Sequence, residues 1–240
     1  MKINNLGNRL AVSSIDYGLS IYNIHPDNGL THLTDINASD YGKQYHDIGK
    51  VDFNPTGDDE LLTGILSLKT VDLKSGTFTK EFGMGSKAIQ ALAYAPNGLL
   101  CASGTIDGTV QVYDTRDYEL KKAFSDHSKS VRAVKFSQNS QTLVSAGEDC
   151  HINLTDVETL TRKLTVPGHS DWITSLSVNS HVKSFISGSL DKTVKIWDLN
   201  SGKCTKTIAM KAPVWGVAFS PTGEYMMTAC QDGTISIIAL

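Results

Sequence analysis

Three residues in the second half of the chain have the types that a serine hydrolase uses. His169, Ser187 and Asp191 could supply a general base, a nucleophile and a carboxylate that orients the base. Two observations favour a structural role instead. The same residue types recur 42 residues earlier, at His127, Ser145 and Asp149, and no G-x-S-x-G elbow surrounds the serine. Because an active site is needed once and a structural tie is needed in every repeat, we predict no catalytic site here.

The recurrence extends along the chain. Short segments that alternate apolar and polar residues and end in a turn contain Phe53, Tyr94, Phe136, Val178 and Phe219, which are 41 or 42 residues apart. A second marker, an aspartate just before a strand, has the same spacing at Asp107, Asp149, Asp191 and Asp232. Asp16 occupies the place of an earlier member. Two independent markers with one period indicate an internal repeat.

Each repeat contains four predicted β-strands. In the clearest repeat they are WITSLSV, SFISGSL, TVKIWDL and CTKTIA, whose alternation is typical of half-buried antiparallel strands. Four strands in a period of about 42 residues predict an all-β fold, a β-propeller with one blade per repeat. We expect one domain, 1–240, with six visible repeats at roughly 1–40, 41–83, 84–125, 126–167, 168–209 and 210–240.

The segment GHSDWITSLSVNSHVKSFISGSLDKTVKIWD, residues 168–198, resembles a complete WD repeat. The resemblance implies that a buried, hydrogen-bonded tetrad is formed by His169, Ser187, Asp191 and Trp197. Other repeats depart from the pattern. The repeat from Asp126 has Thr155-Asp156 where Trp-Asp would stand, the last repeat has Ile238 at the tryptophan position, and the repeat around 61–76 is the most degenerate.

The two ends of the sequence also depart from a complete WD propeller. The last repeat ends at its third strand, TISIIAL, and MKINNL is predicted to be a shortened first strand of its own repeat. We therefore expect the sequence to belong to a seven-bladed propeller that lacks its N-terminal part. An irregular six-bladed ring is the alternative.

Three stretches are similar to the small WD-repeat subunit of the Ski complex: APVWGVAFSPTGEYMMTACQDGTISIIAL, ALAYAPNGLLCASGTIDGTVQVYD and SSIDYGLSIYN. That family also occurs in the polymerase-associated factor complex. The resemblance implies a non-catalytic scaffold in the cytoplasm and nucleus, acting in exosome-linked RNA decay and in transcription elongation. Its implied partners are helical-repeat and helicase subunits. The alternatives are another WD adaptor, such as a ubiquitin-ligase substrate receptor or a G-protein-β-like scaffold, an enzyme, and a direct RNA-binding protein.

Composition narrows the classes of ligand. The net charge of −3 and a pI near 6.1 give no global attraction to nucleic acid, and lysines and arginines cluster on predicted fourth strands, so direct nucleic-acid binding is disfavoured. No apolar run is long enough to suggest a membrane partner. The four cysteines, Cys101, Cys150, Cys204 and Cys230, are far apart and form no C-x-x-C pair. We expect no metal, no cofactor and no small-molecule substrate.

A protein partner is expected at the start of the innermost strands. Four residues before each strand marker lie Gly49, Gln90, Arg132, Thr174 and Trp215, and Trp172 precedes one of these strands. Arginine and tryptophan dominate the energetics of many protein interfaces. We therefore predict that a partner is bound by Gln90, Arg132, Trp172, Thr174 and Trp215. The alternative is that Trp215 packs between blades and Arg132 is merely solvated.

Overall fold

The structure, a computed structural model, describes residues 1–4, 6–13, 18–37, 50–57, 59–64, 67–82 and 87–240. The sequence markers Asp16 and Gly49 lie outside these ranges. All regular structure in the described residues is β, and it forms six antiparallel sheets that follow one another along the chain. These sheets are numbered one to six below.

The chain divides into two compact units. The first unit comprises residues 1–103 and 111–122. Sheet one contains β1 (Lys2–Ile3), β2 (Arg9–Ser13), β3 (Gly18–His25) and β4 (Gly29–Asn37). Sheet two contains β5 (Lys50–Phe53), β6 (Glu60–Gly64), β7 (Leu68–Asp72) and β8 (Thr77–Glu81). Sheet three, which contributes residues to both units, contains β9 (Ile89–Tyr94), β10 (Leu100–Thr105), β11 (Val110–Asp114) and β12 (Leu120–Phe124).

The second unit comprises residues 104–110 and 123–240. Sheet four contains β13 (Val131–Phe136), β14 (Thr142–Gly147), β15 (His151–Asp156) and β16 (Thr161–Pro167). Sheet five contains β17 (Ile173–Val178), β18 (Ser184–Ser189), β19 (Thr193–Asp198) and β20 (Cys204–Ala209). Sheet six contains three strands, β21 (Val214–Phe219), β22 (Tyr225–Cys230) and β23 (Ile235–Ala239).

The strand order within each sheet is the order along the chain, as expected when short turns join antiparallel neighbours. The four strands predicted for the clearest repeat are present as β17 to β20. The predicted short first strand is β1, in which Lys2 pairs with Ala11. Each sheet lies within the range predicted for one repeat.

The core is layered between successive sheets rather than gathered at one centre. In the second unit, Ile152 and Val144 of sheet four pack against Ile173 and Leu176 of sheet five. The same arrangement follows between sheets five and six, where Ile186, Val194, Val214, Val217 and Met226 form a buried cluster. In the first unit, sheets one and two share Leu19, Ile21, Phe53 and Val71. Sheet five therefore uses its two faces against two different neighbours.

In sheets three and six, an Asp-Gly pair forms the turn between the second and third strands, and the backbone of this turn favours glycine. Gly108 has a φ of 89°, in the left-handed region that favours glycine. A Cβ at this position would also collide with the backbone carbonyl of His127. Gly233, at the equivalent turn of sheet six, has a φ of 82° and would meet nothing within 4 Å.

These two glycines allow backbone strain and steric collision to be separated. Gly233→Ala should cost about 1 kcal/mol of unfolding free energy, because alanine resists a positive φ. Gly108→Ala should cost at least about 1 kcal/mol more, since the His127 carbonyl must also move. Urea denaturation of both variants measures the difference. Equal losses would show that the collision is relieved without cost.

Candidate functional site

The structure brings together the four residues of the predicted tetrad. The Trp197 indole Nε1–H donates to Ser187 Oγ at 2.8 Å, and Ser187 Oγ lies 2.7 Å from His169 Nε2. His169 Nδ1 lies 2.8 Å from Asp191 Oδ2. These distances fit a histidine that donates from Nδ1 to the carboxylate and accepts the serine proton at Nε2. The network joins β18, β19, the turn between them and the loop before β17.

The Asp191 carboxylate has further donors, as a mostly buried charge requires. Its Oδ2 accepts from the backbone N–H of Ser170 at 3.1 Å. Its Oδ1 accepts from the backbone N–H of Thr193 at 2.9 Å and from the Thr193 hydroxyl at 2.7 Å. The aspartate thus closes its own turn and holds the loop that carries His169.

This geometry is unsuited to nucleophilic catalysis. Ser187 is completely buried, and so is the side chain of His169. The serine oxygen also receives the Trp197 hydrogen bond, whereas a hydrolase nucleophile must face its substrate. What the arrangement does is tie one turn, two strands and one loop into a rigid blade.

Sheet four contains a variant of the same network. His127 Nδ1 lies 2.9 Å from Asp149 Oδ2, and its Nε2 lies 2.8 Å from Ser145 Oγ. In place of an indole, the Asn153 amide nitrogen approaches His127 Nε2 at 3.0 Å, and its oxygen accepts from Thr165 of β16. Sequence comparison with the tryptophan position missed Asn153, because this residue lies at the position of Lys195 in the next repeat, two residues before that of Trp197.

The network is reduced elsewhere in the second unit. In the turn after β10, Thr105 donates to Asp107 at 2.6 Å without a histidine. In sheet six, Thr228 takes the place of Ser187, and in the described part of the chain its buried hydroxyl has no hydrogen-bond partner. Asp232 is exposed and accepts a hydrogen bond from the Thr234 backbone N–H, at 3.0 Å, within its own turn. Sheet six therefore has no complete tetrad in the described residues. It is joined to sheet five by apolar packing and by hydrogen bonds from the N–H groups of Val217 and Phe219 to Ser175 and Ser177.

The titration behaviour of the tetrad follows from burial and pairing. Burial lowers the pKa of His169 below its usual value, although the Asp191 charge works in the opposite direction. Burial also opposes ionisation of Asp191, but the hydrogen bond from Thr193 and the interaction with His169 outweigh it and lower the pKa of the carboxyl. Near neutral pH the pair is a neutral histidine beside an ionised aspartate.

The predicted partner-binding residues of the second unit share an unusual backbone feature. The register between first and second strands shifts at Val131/Ala133, Ile173/Ser175 and Val214/Gly216. The residues skipped by these shifts are Arg132, Thr174 and Trp215. Each occupies a β-bulge, which bends a strand and re-aims its side chain. They are thus the second residues of their strands, and the first residues, Val131, Ile173 and Val214, are completely buried.

Arg132 is held in place by two neighbours. Its Nε–H donates to Glu148 at 2.7 Å, and its guanidinium carbon lies 5.3 Å from the centroid of the Trp172 ring. This is an ion pair combined with a cation–π contact. The alternative prediction, that Arg132 is merely solvated, is therefore wrong, because its charge is paired with Glu148 and its guanidinium lies over the Trp172 ring.

Thr174 and Trp215 differ in how far their side chains are free to contact a partner. The Thr174 hydroxyl donates to the Val214 carbonyl at 2.6 Å, so it ties sheet five to sheet six. Trp215 is 51 % exposed and Trp172 is 36 % exposed. We name the surface formed by Arg132, Trp172 and Trp215 the bulge surface. Gln90 holds the corresponding place on β9, in the first unit, where it is half-buried.

Comparison with known proteins assigns the fold family. Residues 50–238 match the sequence family described as the N-terminal β-propeller domain of nucleolar protein 10-like proteins, over more than half of the chain. The chain belongs to this family. The family assignment and the six sheets together confirm the prediction of an all-β propeller.

A second similarity is short. Over 47 residues the chain is 40% identical to nuclear distribution protein PAC1 of Zygosaccharomyces rouxii. The match covers 20% of this chain and 10% of PAC1. Neither this match nor the family assignment tests the resemblance to the Ski subunit, which stays a prediction.

No group of three or more histidines, cysteines, aspartates or glutamates in the described residues could hold a metal ion. Within those same ranges, no helix is long and apolar enough to cross a membrane.

The tetrad makes a strong prediction about stability. Asp191→Ala should lower the unfolding free energy by about 3 kcal/mol or more, because it leaves His169 and two backbone N–H groups without their acceptor. Asp232→Ala, at the equivalent exposed turn of sheet six, is the matched control and should have little effect. Chemical denaturation measures both. A small loss for Asp191→Ala would contradict a structural role of the tetrad.

The same network predicts how stability depends on pH. The pKa values of His169 and Asp191 are both lowered in the folded state. Their contribution is therefore present above their unfolded pKa values and is lost as the pH falls through the folded ones. The unfolding free energy should decrease from about pH 7 towards pH 4. His169→Gln, which does not titrate, should flatten the upper part of this curve, and an unchanged curve would exclude His169 as a contributor.

Proposed function

We propose that the protein is a non-catalytic scaffold that binds another protein through the bulge surface. The observation that carries the proposal is the row of three bulges, which places Arg132, Thr174 and Trp215 at the same strand position of three successive sheets. The bulge at Thr174 lies between the other two and is bonded to Val214, the residue before Trp215. These three bulges orient their side chains in directions that regular strand pairing would not allow.

The bulge surface has the chemistry of a protein interface. Trp172 and Trp215 offer large amphipathic rings, and tryptophan and arginine are enriched among residues that dominate binding energy. Arg132 is already oriented by Glu148 and Trp172, so little side-chain freedom would be lost when a partner binds. The burial of Ser187 inside the tetrad supports the non-catalytic part of the proposal.

For the cellular setting we propose a Ski-type complex, with helical-repeat and helicase subunits as partners. The support is the similarity of three stretches of the sequence to the small WD subunit of that complex. Exosome-linked RNA decay, transcription elongation and a cytoplasmic and nuclear location are parts of the same proposal. A second candidate is a nucleolar assembly, which the description of the matched family favours.

Affinity purification separates these settings. The tagged chain should co-purify with a reproducible set of proteins, identified by mass spectrometry, and Arg132→Glu combined with Trp215→Ala should remove them by deleting the two most distinctive side chains of the bulge surface. The matched control is Lys183→Glu combined with Val182→Ala, in the exposed turn between β17 and β18. Both double variants should remain folded at the temperature of the purification, although Arg132→Glu lies beside Glu148 and should lower the unfolding temperature.

The identity of the co-purified proteins distinguishes the two candidate settings. Helicase and helical-repeat subunits lost from the bulge variant support the Ski-type setting, and nucleolar proteins lost in the same way support the second candidate. Equal partner sets for the two double variants would contradict the bulge surface as the binding site. Salt-sensitive recovery of RNA without protein partners would favour the direct RNA-binding alternative.

A further inference from the structure

The turn between the second and third strands has a similar backbone in sheets three to six. In each of them the residue after the turn aspartate has a left-handed conformation. These residues and their φ angles are Gly108 at 89°, Cys150 at 66°, Lys192 at 64° and Gly233 at 82°. Glycine adopts this conformation without a steric penalty, whereas cysteine and lysine have a Cβ that resists it. Sheets four and five therefore keep a side chain where the backbone favours glycine.

Cys150 and Lys192 differ in what their side chains do within the chain. Cys150 is half-buried, and its thiol donates to the Glu148 carbonyl with an Sγ–O separation of 3.8 Å. Lys192 is exposed, and among the described residues its ammonium group makes no ion pair and no hydrogen bond. A strained residue whose charged group has no partner in its own chain points to a contact outside it.

Lys192 lies at the end of sheet five that carries the bulge surface. The N–H of Leu190, two residues before it, donates to the Trp172 carbonyl at 3.0 Å. The Lys192 carbonyl accepts from the N–H of Met210 at 2.8 Å, at the start of the loop that leads to Trp215. The turn that contains Lys192 is thus bonded to both segments that supply the exposed indoles.

The free charges around the bulge surface are positive. Four carboxylates at this end of sheets four and five have donors within the chain: Asp126 from Arg162, Glu148 from Arg132, Asp149 from His127 and Asp191 from His169. The exposed Asp171 accepts the N–H of Trp172. In the part of the chain that the structure describes, three exposed lysines of these turns and loops make no ion pair: Lys129, Lys192 and Lys211. A carboxylate is the protein group that complements such cations.

From these observations we propose that the bulge surface binds an acidic segment of the partner protein, and that Lys192 pairs with a carboxylate of that segment. The proposal rests on the scaffold function above, because it specifies the chemistry of the partner at the same surface. Lys129 and Lys211, in the loops before β13 and β21, add attraction at longer range and speed the encounter with an acidic partner. Selectivity for acidic partners thus depends on a residue that the turn itself does not favour.

Lys192→Gly separates binding from stability. Because glycine relieves the left-handed strain, this variant should unfold about 2 °C or more above the wild-type temperature in a thermal melt. The same change removes the ammonium group, so recovery of the proteins that co-purify with the tagged wild-type chain should fall at least about threefold in quantitative mass spectrometry. A variant that is more stable and binds less does not owe its loss of binding to unfolding.

Two variants are matched controls. Cys150→Gly relieves the same strain in sheet four and removes no charge, so it should recover the wild-type amounts of partner. Lys192→Arg keeps both the strain and the positive charge, so it should recover partner within about twofold of the wild type and unfold at the wild-type temperature. Together they assign a loss in Lys192→Gly to the missing charge.

Chemical cross-linking identifies the group that Lys192 contacts. A water-soluble carbodiimide activates a carboxylate, and an amine in contact with it then forms an amide bond while the reagent leaves as its urea. Mass spectrometry of the wild-type chain, cross-linked while its partners are bound, should show Lys192 joined to an aspartate or glutamate of a partner. This readout uses the wild-type chain and does not depend on the folding of any variant.

Three outcomes would overturn the proposal. The first is wild-type recovery of partners by Lys192→Gly while Arg132→Glu with Trp215→Ala loses them, in which case the proposed function stands and the acidic segment alone is excluded. The second is a cross-link of Lys192 to a nucleotide phosphate, or no cross-link of Lys192 to a partner carboxylate. The third is a wild-type chain that recovers no protein, which would contradict both proposals. Partner loss by Lys192→Gly alone would contradict the proposed function, because the acidic segment would then bind away from Arg132 and Trp215.

Discussion

A sheet of four short strands has two apolar faces and cannot cover either of them by itself. In this protein successive sheets within each unit pack face to face, so the core consists of layers such as that of Ile186, Val194 and Val214. The small residues of the second strands follow from this constraint. Gly188 illustrates the closeness of the layers, since a Cβ there would overlap with Val214 and Val217 of the next sheet. Stability is thus distributed over similar interfaces between neighbours.

Polar networks supplement this packing unequally. Sheet five has the complete set of His169, Ser187, Asp191 and Trp197, and sheet four replaces the indole with Asn153. Sheet six has neither, and Thr228 remains without a hydrogen-bond partner there within the described residues. A buried carboxylate is stable only when donors surround it, so the network must be nearly complete or absent. The two sheets with histidine show the first solution, and the exposed Asp232 of sheet six shows the second.

Much of the fold follows from local pattern. The alternation in segments such as TVKIWDL and the turn at Asp191 predict the strands β17 to β20 with errors of one residue at most. The tetrad of sheet five could be identified because its residue types stand at a familiar spacing. Asn153 could not, since an amide that replaces an indole from a different strand position leaves no recognisable spacing. The bulges at Arg132, Thr174 and Trp215 also leave no sequence signal, because a register shift depends on two strands at once.

The three tryptophans of the chain lie in different environments, so intrinsic fluorescence can report separately on two parts of the protein. Trp197 is buried, stacked on Phe185 with a centroid separation of 6.0 Å, and hydrogen-bonded to Ser187. Trp172 and Trp215 face solvent. Emission from the buried indole therefore reports whether sheet five is intact, while a soluble quencher reaches the exposed pair first. A change confined to the quenchable fraction marks an event at the bulge surface, and a red shift of the protected fraction marks the opening of the blade.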